Sequence, residues 1–393
     1  MDENLVLKDV EQPMRVTPLL TFDALRAYSN RWNELAGESP FSRWEWLETW
    51  WKHYGEAAQT PRAKRQLLLL AVWSNDQLIG IAPWYTQRLF GDGRAIYALG
   101  TGEVCSEYLS ILSESHSREL VVRAIAEWLT ERSLDRNPEH GGWDTLEIEG
   151  TCAADEAIDL LATNMADFGH SVYVQPAMSC WQAQLPESWD AYLAQLSKSH
   201  RKNVRRIERI GENGDRVRVH HVSDTAELDR AFEILVDLHQ RRWISLGQRG
   251  CFSSTPFLNF HYEVLRRLMP EGRAVLSWIE LDGLPLAAEY QLVGGSTVYA
   301  YQSGIDPDRL DSEPGRLVLI EAIRRCIANG YRTYDFLRGD EPYKAHWRAE
   351  PRKMIKLQVV PPNRSAQLRY GMNVVTGGIK NLIKTSLELA HLR

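Results

Sequence analysis

A chain of 393 residues with 44% hydrophobic and 25% charged residues is globular and long enough for two or three domains, which excludes a disordered or fibrous protein. The formal charge of −6 excludes a whole-protein nucleic-acid coat, DNA included, because phosphate binding wants a positive surface. No apolar run approaches the roughly 18 residues of a membrane span, and residues 1–13 are acidic and broken by Pro13 rather than built as a signal peptide, so the cytoplasm is the expected location.

Cys105, Cys152, Cys180, Cys251 and Cys326 lie far apart with no CxxC and no matched histidine pair. They are expected as small buried hydrophobes, with neither disulfides nor a metal site.

In chain order, the first signal is aromatic: nine of the 14 tryptophans precede residue 175. In the run Trp44-Glu45-Trp46-Leu47-Glu48-Thr49-Trp50-Trp51, positions 46, 47, 50 and 51 share one helical face. That face is either a packed aromatic seam or a wall on which a substrate stacks. Residues 67–73 and 78–85 read as strands around the turn Asn75-Asp76-Gln77, and 95–99 as a third strand of a meander. Gly100-Thr101-Gly102 then leads to Cys105-Ser106-Glu107-Tyr108, a helix is predicted over 117–132, and a strand over 144–148. A boundary is expected near 173–178, where Pro176 interrupts the chain before a strand at 179–185.

Beyond it, Lys198, Arg201, Lys202, Arg205, Arg206 and Arg209 stand against Glu208 on a helix anchored by Val204 and Ile207. A solvated helix face is usually mixed in sign, so this stripe is either solvated or a phosphate-binding face. A long helix from about 225 ends in His239, Arg241, Arg242 and Trp243, cations that also suit a helix C-terminus.

Strands at 274–281, 284–293 and 297–303 repeat the meander around Asp282-Gly283 and Gly294-Gly295. A helix over 315–329 stops at Gly330 and feeds a strand at 331–337. The order strand, strand, strand, helix, strand thus occurs twice. It implies an α/β (α+β) chain of two similar domains, each a mixed, mainly antiparallel sheet flanked by helices: residues 1–175, residues 176–362, and a basic, helical tail at 363–393 that packs on the protein or touches a membrane surface peripherally.

Two polar features are improbable as core. Alternation in 284–293 places Glu289 and Gln291 with Ala287, opposite Ala288, Tyr290 and Leu292, and a carboxylate in mid-sheet is costly unless partnered or solvated in a cleft. Tyr299, Tyr301 and Ser303 alternate onto one face of the next strand. The run Asp335-Phe336-Leu337-Arg338-Gly339-Asp340-Glu341-Pro342-Tyr343-Lys344-Ala345-His346-Trp347 crowds acids, bases and an aromatic hydroxyl at a strand exit, where rigid scaffolds place working residues. The competing reading is a loop ordered by Asp–Arg pairs.

These pieces together resemble a known family. Phe41 with Trp46-Leu47-Glu48-Thr49-Trp50-Trp51, the run 196–206, Leu238-His239-Gln240-Arg241-Arg242-Trp243, Pro314-Gly315 and 335–344 resemble the CelD/BcsL-type (BioF2-like) acyltransferases. Those belong to the GCN5-related N-acetyltransferase (GNAT) superfamily and are related to the Fem-type peptidyl transferases.

The resemblance implies transfer of an acyl group from acyl-CoA, acetyl-CoA being the usual donor, to an amine or hydroxyl, with no metal. The acceptor it implies is a small molecule or sugar, such as an amino sugar of cellulose-type extracellular polysaccharide biosynthesis, or a phosphate-bearing carrier. One departure is visible: the pyrophosphate loop of such enzymes is glycine-rich, whereas Leu310-Asp311-Ser312-Glu313-Pro314-Gly315-Arg316 has one glycine and two acids.

Acyl transfer needs a proton acceptor, an oxyanion or leaving-group partner and a phosphate cradle. The residues expected to supply them are Glu289 as base, Lys344 and Tyr343 at the oxyanion and leaving group, and Asp335 orienting Arg338 or the acceptor. Gly315 and Arg316, with Ser303 and Tyr301, are expected at the donor; Arg201, Arg205, Arg242, Trp243, Arg338 and Tyr108 at the acceptor. Two alternatives stay open: a Fem-like transferase drawing on aminoacyl-tRNA, and a non-catalytic module that binds a nucleotide sugar or the synthase machinery.

Overall fold

The computed structural model describes residues 14–56, 64–88, 93–133, 142–211, 216–222, 225–364, 366–368 and 370–371. The tail expected at 363–393 lies outside the described residues from 372 on.

The first half opens with β1 (Met14–Leu19), α1 (Ser29–Ala36) and α2 (Trp44–Trp50). It continues as β2 (Arg65–Ser74), β3 (Gln77–Arg88), β4 (Arg94–Ala98), the short β5 (Leu112–Ser113), α3 (Arg118–Ser133), β6 (Thr145–Cys152) and α4 (Glu156–Asp167). The long β7 (Ser171–Gln184) follows, with α5 (Trp189–Gln195) and α6 (Lys198–Gly211) after it. The second half is β8 (Val217–His221), α7 (Thr225–Ser245), α8 (Thr255–Leu268), β9 (Ala274–Leu281), β10 (Leu284–Gly294), β11 (Thr297–Ile305), α9 (Pro314–Ala328), β12 (Thr333–Arg338), α10 (Tyr343–His346) and β13 (Ala349–Val360).

The repeated order is real in three dimensions. β2, β3 and β4 form an antiparallel meander whose last strand runs parallel to β6. In the same way β9, β10 and β11 form a meander whose last strand runs parallel to β12. All strands join one sheet in the order β1-β2-β3-β4-β6-β13-β7-β12-β11-β10-β9-β8, with β5 beside β3.

The join is the antiparallel pair β7 and β13, which runs from Ser171 opposite Val360 to Ala183 opposite Ala349 with one shift of register between Arg352 and Met354. β13 continues onto β6 of the first half and β7 onto β12 of the second. β7 therefore runs straight through the segment where an interruption was expected. Pro176 is tolerated because β12 reaches only residues 180–184 of β7; before that one side of the strand has no neighbouring strand among the described residues, and a missing N–H costs no ladder bond there.

Two apolar clusters flank the sheet. One holds the aromatic helix α2, α7, α8 and the face of β10 that carries Ala288, Tyr290 and Leu292. The other holds the opposite face with Ala287 and Val293, covered by α5, α6 and α9. Trp46 is fully buried, donates from Nε1 to Ser106 Oγ at 2.8 Å, and meets Phe260 and Tyr301 edge-on at 4.9 and 5.5 Å. The tryptophan run is thus a packed seam between the halves and not a stacking wall, since an indole with no exposed face has nothing to offer a ligand.

Candidate active site

Parallel pairing between β11 and β12 lasts only from Thr297–Tyr299 to Thr333–Asp335. Beyond Tyr299, β11 stays with β10 while β12 follows β7, so the sheet splits into a V. A β-bulge helps: Gln291 pairs with Ala300 and Tyr290 with Gln302, leaving Tyr301 as the extra residue, which bends the strand and increases its twist. The split opens a cleft of about 710 Å³, with residues 300–303 on one wall and Tyr334 and Phe336 on the other.

The bulge also re-aims a side chain. Simple alternation puts Ser303 with Tyr299 and Tyr301, but Ser303 pairs opposite Glu289, and directly opposed residues share a face. Tyr301 instead points its hydroxyl to the carbonyl of Val104 and to His261 Nε2, while both Tyr301 and Ser303 border the cleft.

Glu289 sits at the base of the V, 4% exposed. The Tyr334 hydroxyl donates to its Oε1, and Oε2 has no hydrogen-bond partner. Burial pushes its carboxyl up to about 7, while the hydroxyl of Tyr334 and, less, the side-chain amide of Gln291 pull the other way. A buried carboxyl at the border of a cleft, raised to about 7, can take and return a proton near neutral pH.

At the far end, α9 begins with Pro314 and Gly315 and carries Arg316 in its first turn; Glu313, Gly315 and Arg316 all border the cleft. The Arg316 and Leu317 amides already donate to the Glu313 carbonyl at 3.1 and 3.0 Å and Pro314 has no N–H, so it is the positive end of the helix that favours an anion here. α7 forms the lip opposite. It lies directly on β11 because Gly304 has no side chain: a Cβ there would fall 2.5 Å from the His239 nitrogen. Arg241 ties the helix to the turn before α9 through Asp306 at 2.6 Å and Asp308 at 2.8 Å, and this holds Arg242 and Trp243 on the border of the cleft.

The polar run after β12 divides sharply. Tyr343 borders the cleft, 47% exposed, its hydroxyl pushed up to about 12 by burial. Lys344 does not border it. Its Nζ donates to the carbonyls of Leu337, Arg338 and Gly339 at 3.2, 3.0 and 2.9 Å and pairs with Glu341 at 2.9 Å. An ammonium with three proton donors has none left for a substrate oxyanion, so Lys344 clamps the loop instead of serving the chemistry.

Asp335 is fully buried, and it does not orient Arg338. It accepts from the Tyr108 hydroxyl at 2.6 Å, Gln182 Nε2 at 2.9 Å and the Leu337 N–H at 2.7 Å. Arg338 turns the other way and pairs through Nε with Glu107, 1% exposed. Tyr108, Asp335 and Arg338 therefore stitch the halves together and are not gathered in the cleft.

Arg201 is half-buried and Arg205 exposed, and neither borders the cleft. α6 reaches the site by two other residues: Arg206, paired with Glu313 at 2.7 Å, and His200, edge-on to Trp347 at 4.8 Å.

Sequence reasoning missed Tyr334, Glu313 and Glu107. The alternation of the predicted 331–337 strand did place Tyr334 and Phe336 on one face, and that signal could have found the Glu289 partner.

Residues 198–345 match the family described as an acetyltransferase (GNAT) domain. A crystal structure of FemX is similar at 12% identity, covering 86% of this chain and 98% of that one with a TM-score of 0.61. A conserved protein of unknown function from Bacteroides thetaiotaomicron VPI-5482 is similar at 9% identity, covering 88% and 100%, with a TM-score of 0.54. A tandem GNAT protein from the clavulanic acid biosynthesis pathway follows at 14% identity, 88% and 98% coverage and a TM-score of 0.44. No curated protein matches the chain. The fold is thus of the GNAT-like class that the resemblance implied.

Proposed function

We propose that the chain transfers an acyl group from a pantetheine thioester, acyl-CoA being the simplest, to an amine or hydroxyl acceptor in the V-shaped cleft. The observation that carries this is Glu289, buried, protonatable near pH 7 and bordering the cleft where the sheet splits.

On the side away from β10, the edge of β11 beyond Tyr299 has no strand beside it among the described residues, so its backbone groups there can pair with the amides of a pantetheine arm as with an added strand. With the thioester carbon in the V, the acceptor attacks it. The new C–N or C–O bond forms, the C–S bond breaks, Glu289 takes the acceptor's proton, and Tyr343, still protonated at neutral pH, gives one to the sulfur. Arg242 and Trp243 lie where the acceptor enters, and a hydroxyl-rich amine such as an amino sugar of polysaccharide assembly fits that lip of guanidinium and indole.

One feature favours a second reading. Glu313 stands at the phosphate end of the cleft and disfavours a diphosphate, which an aminoacyl-tRNA donor lacks.

The test is to offer acetyl-CoA and longer acyl-CoAs with glucosamine and to follow thiol release, with aminoacyl-tRNA in a parallel assay. Thiol release that needs both acyl-CoA and the amine supports the first reading. Transfer from aminoacyl-tRNA alone replaces it, and the absence of turnover with any donor leaves a binding module.

A further inference from the structure

Glu313 puts a negative charge where a diphosphate carrier needs a positive site. It has a left-handed backbone (φ 56) immediately before α9 and makes no side-chain cap. Its Oε1 takes Arg206 Nη2 at 2.7 Å and its Oε2 takes Arg316 Nη1 at 2.7 Å. Two guanidiniums from separate helices thus converge at the cleft mouth on a carboxylate that the chain itself supplies.

Space beside this group is open, since a Cβ built on Gly315 meets no atom within 4 Å. The same cleft is bordered by a second polar group outside ordinary pairing, Glu289, 4% exposed, whose Oε2 makes no hydrogen bond of ordinary geometry.

We infer that Glu313 is a specificity residue for the donor's carrier, its carboxylate taking the two arginines that would otherwise bind a free diphosphate. This rests on the reading of the cleft as an acyl-transfer site. A diphosphate entering here must displace Glu313 from Arg206 and Arg316 and then lie beside it, like charge against like charge. A pantetheine thioester whose arm carries no diphosphate meets neither obstacle. The favoured donor class is therefore an acyl-pantetheine group with its anionic charge outside this end of the cleft.

Both arginines are about half exposed (52% and 50%), so the internal pairs are weak and the discrimination is about tenfold rather than thousands. Binding of CoA, pantetheine and inorganic pyrophosphate is measured by calorimetry on the full chain and on Glu313→Gln. Wild type should bind CoA no more than about threefold tighter than pantetheine. Glu313→Gln should tighten CoA and pyrophosphate about tenfold and leave pantetheine unchanged. Adding Arg206→Gln should abolish that gain, which separates a charge effect from loosened packing.

Wild-type CoA binding far tighter than pantetheine, or CoA affinity unchanged or weaker in Glu313→Gln, overturns the inference. Pyrophosphate binding needs no turnover. Tightening without acyl transfer would thus sink the proposed activity alone, and turnover of acyl-CoA indifferent to Glu313 would sink the specificity role alone.

Discussion

Replacing Glu289 by glutamine keeps the shape of the side chain and the bond to Tyr334 but removes the proton that the cleft can exchange. Burial raises this carboxyl from 4.5 to about 7, so the folded chain holds the proton more tightly than the unfolded one. The favourable contribution is whole below pH 4.5 and is lost as the pH rises through about 7. The full change corresponds to about 3 kcal/mol. Glutamine carries no such dependence, so the stability of Glu289→Gln relative to wild type should improve by about 2 kcal/mol or more between pH 5 and pH 8.

Catalysis should move oppositely. A general base contributes about 10²–10⁴-fold, so kcat/KM for acyl transfer should fall by that factor, and the rise in wild-type rate centred near pH 7 should vanish. Urea denaturation at both pH values and a pH–rate profile read the two effects from one variant. A stability difference that is the same at pH 5 and pH 8 would refute the raised carboxyl; wild-type turnover in the variant would refute the base.

Lys344→Met should lower stability by about 2–4 kcal/mol, because three carbonyls lose their donor together, with turnover per folded molecule nearly unchanged; a 100-fold rate loss at unaltered urea midpoint would return Lys344 to the chemistry. Tyr334→Phe removes the bond that holds the Glu289 carboxyl down, so the midpoint of the pH–rate profile should move upward, and a midpoint at or below wild type contradicts the pairing. Arg338→Met leaves Glu107 buried without its cation and should cost about 2–3 kcal/mol in thermal unfolding, less than a fully buried pair because the Arg338 side chain is 41% exposed. Adding Glu107→Leu should recover most of that loss.

The elements were legible where a single period governs them. The Asn75-Asp76-Gln77 and Asp282-Gly283 turns, the two meanders and the α9 boundary at Gly330 follow from local chemistry, and they appear within a few residues of the predicted ranges. What was not legible is whatever needs a partner distant in sequence. The extra residue at Tyr301 is defined only against Tyr290 and Gln291 on the neighbouring strand, and it moved Ser303 to the Glu289 face. The return of β13 onto β6 joins residues about 200 apart, and nothing in either strand names the other. Lys344 misled for a related reason: lysine is exposed by default, and burial against three carbonyls of its own loop is a property of the loop's path.

Residue type and burial together still do not separate chemistry from architecture, as two carboxyls show. Asp335 and Glu289 are both buried, and burial raises both. Asp335 accepts from Tyr108, Gln182 and the Leu337 N–H, so both of its oxygens are taken by protein donors. Such a group is held in place by its neighbours and has no lone pair turned toward a ligand. Glu289 borders the cleft with one oxygen held by Tyr334 and the other in no hydrogen bond of ordinary geometry, an unfavourable state that a closed core removes and that a substrate proton satisfies. The polar run at 335–347 that dominates the sequence is thus largely the frame of the site. Apart from Tyr343 its cations and acids are spent on the chain, and the chemistry falls to a glutamate in the middle of a strand.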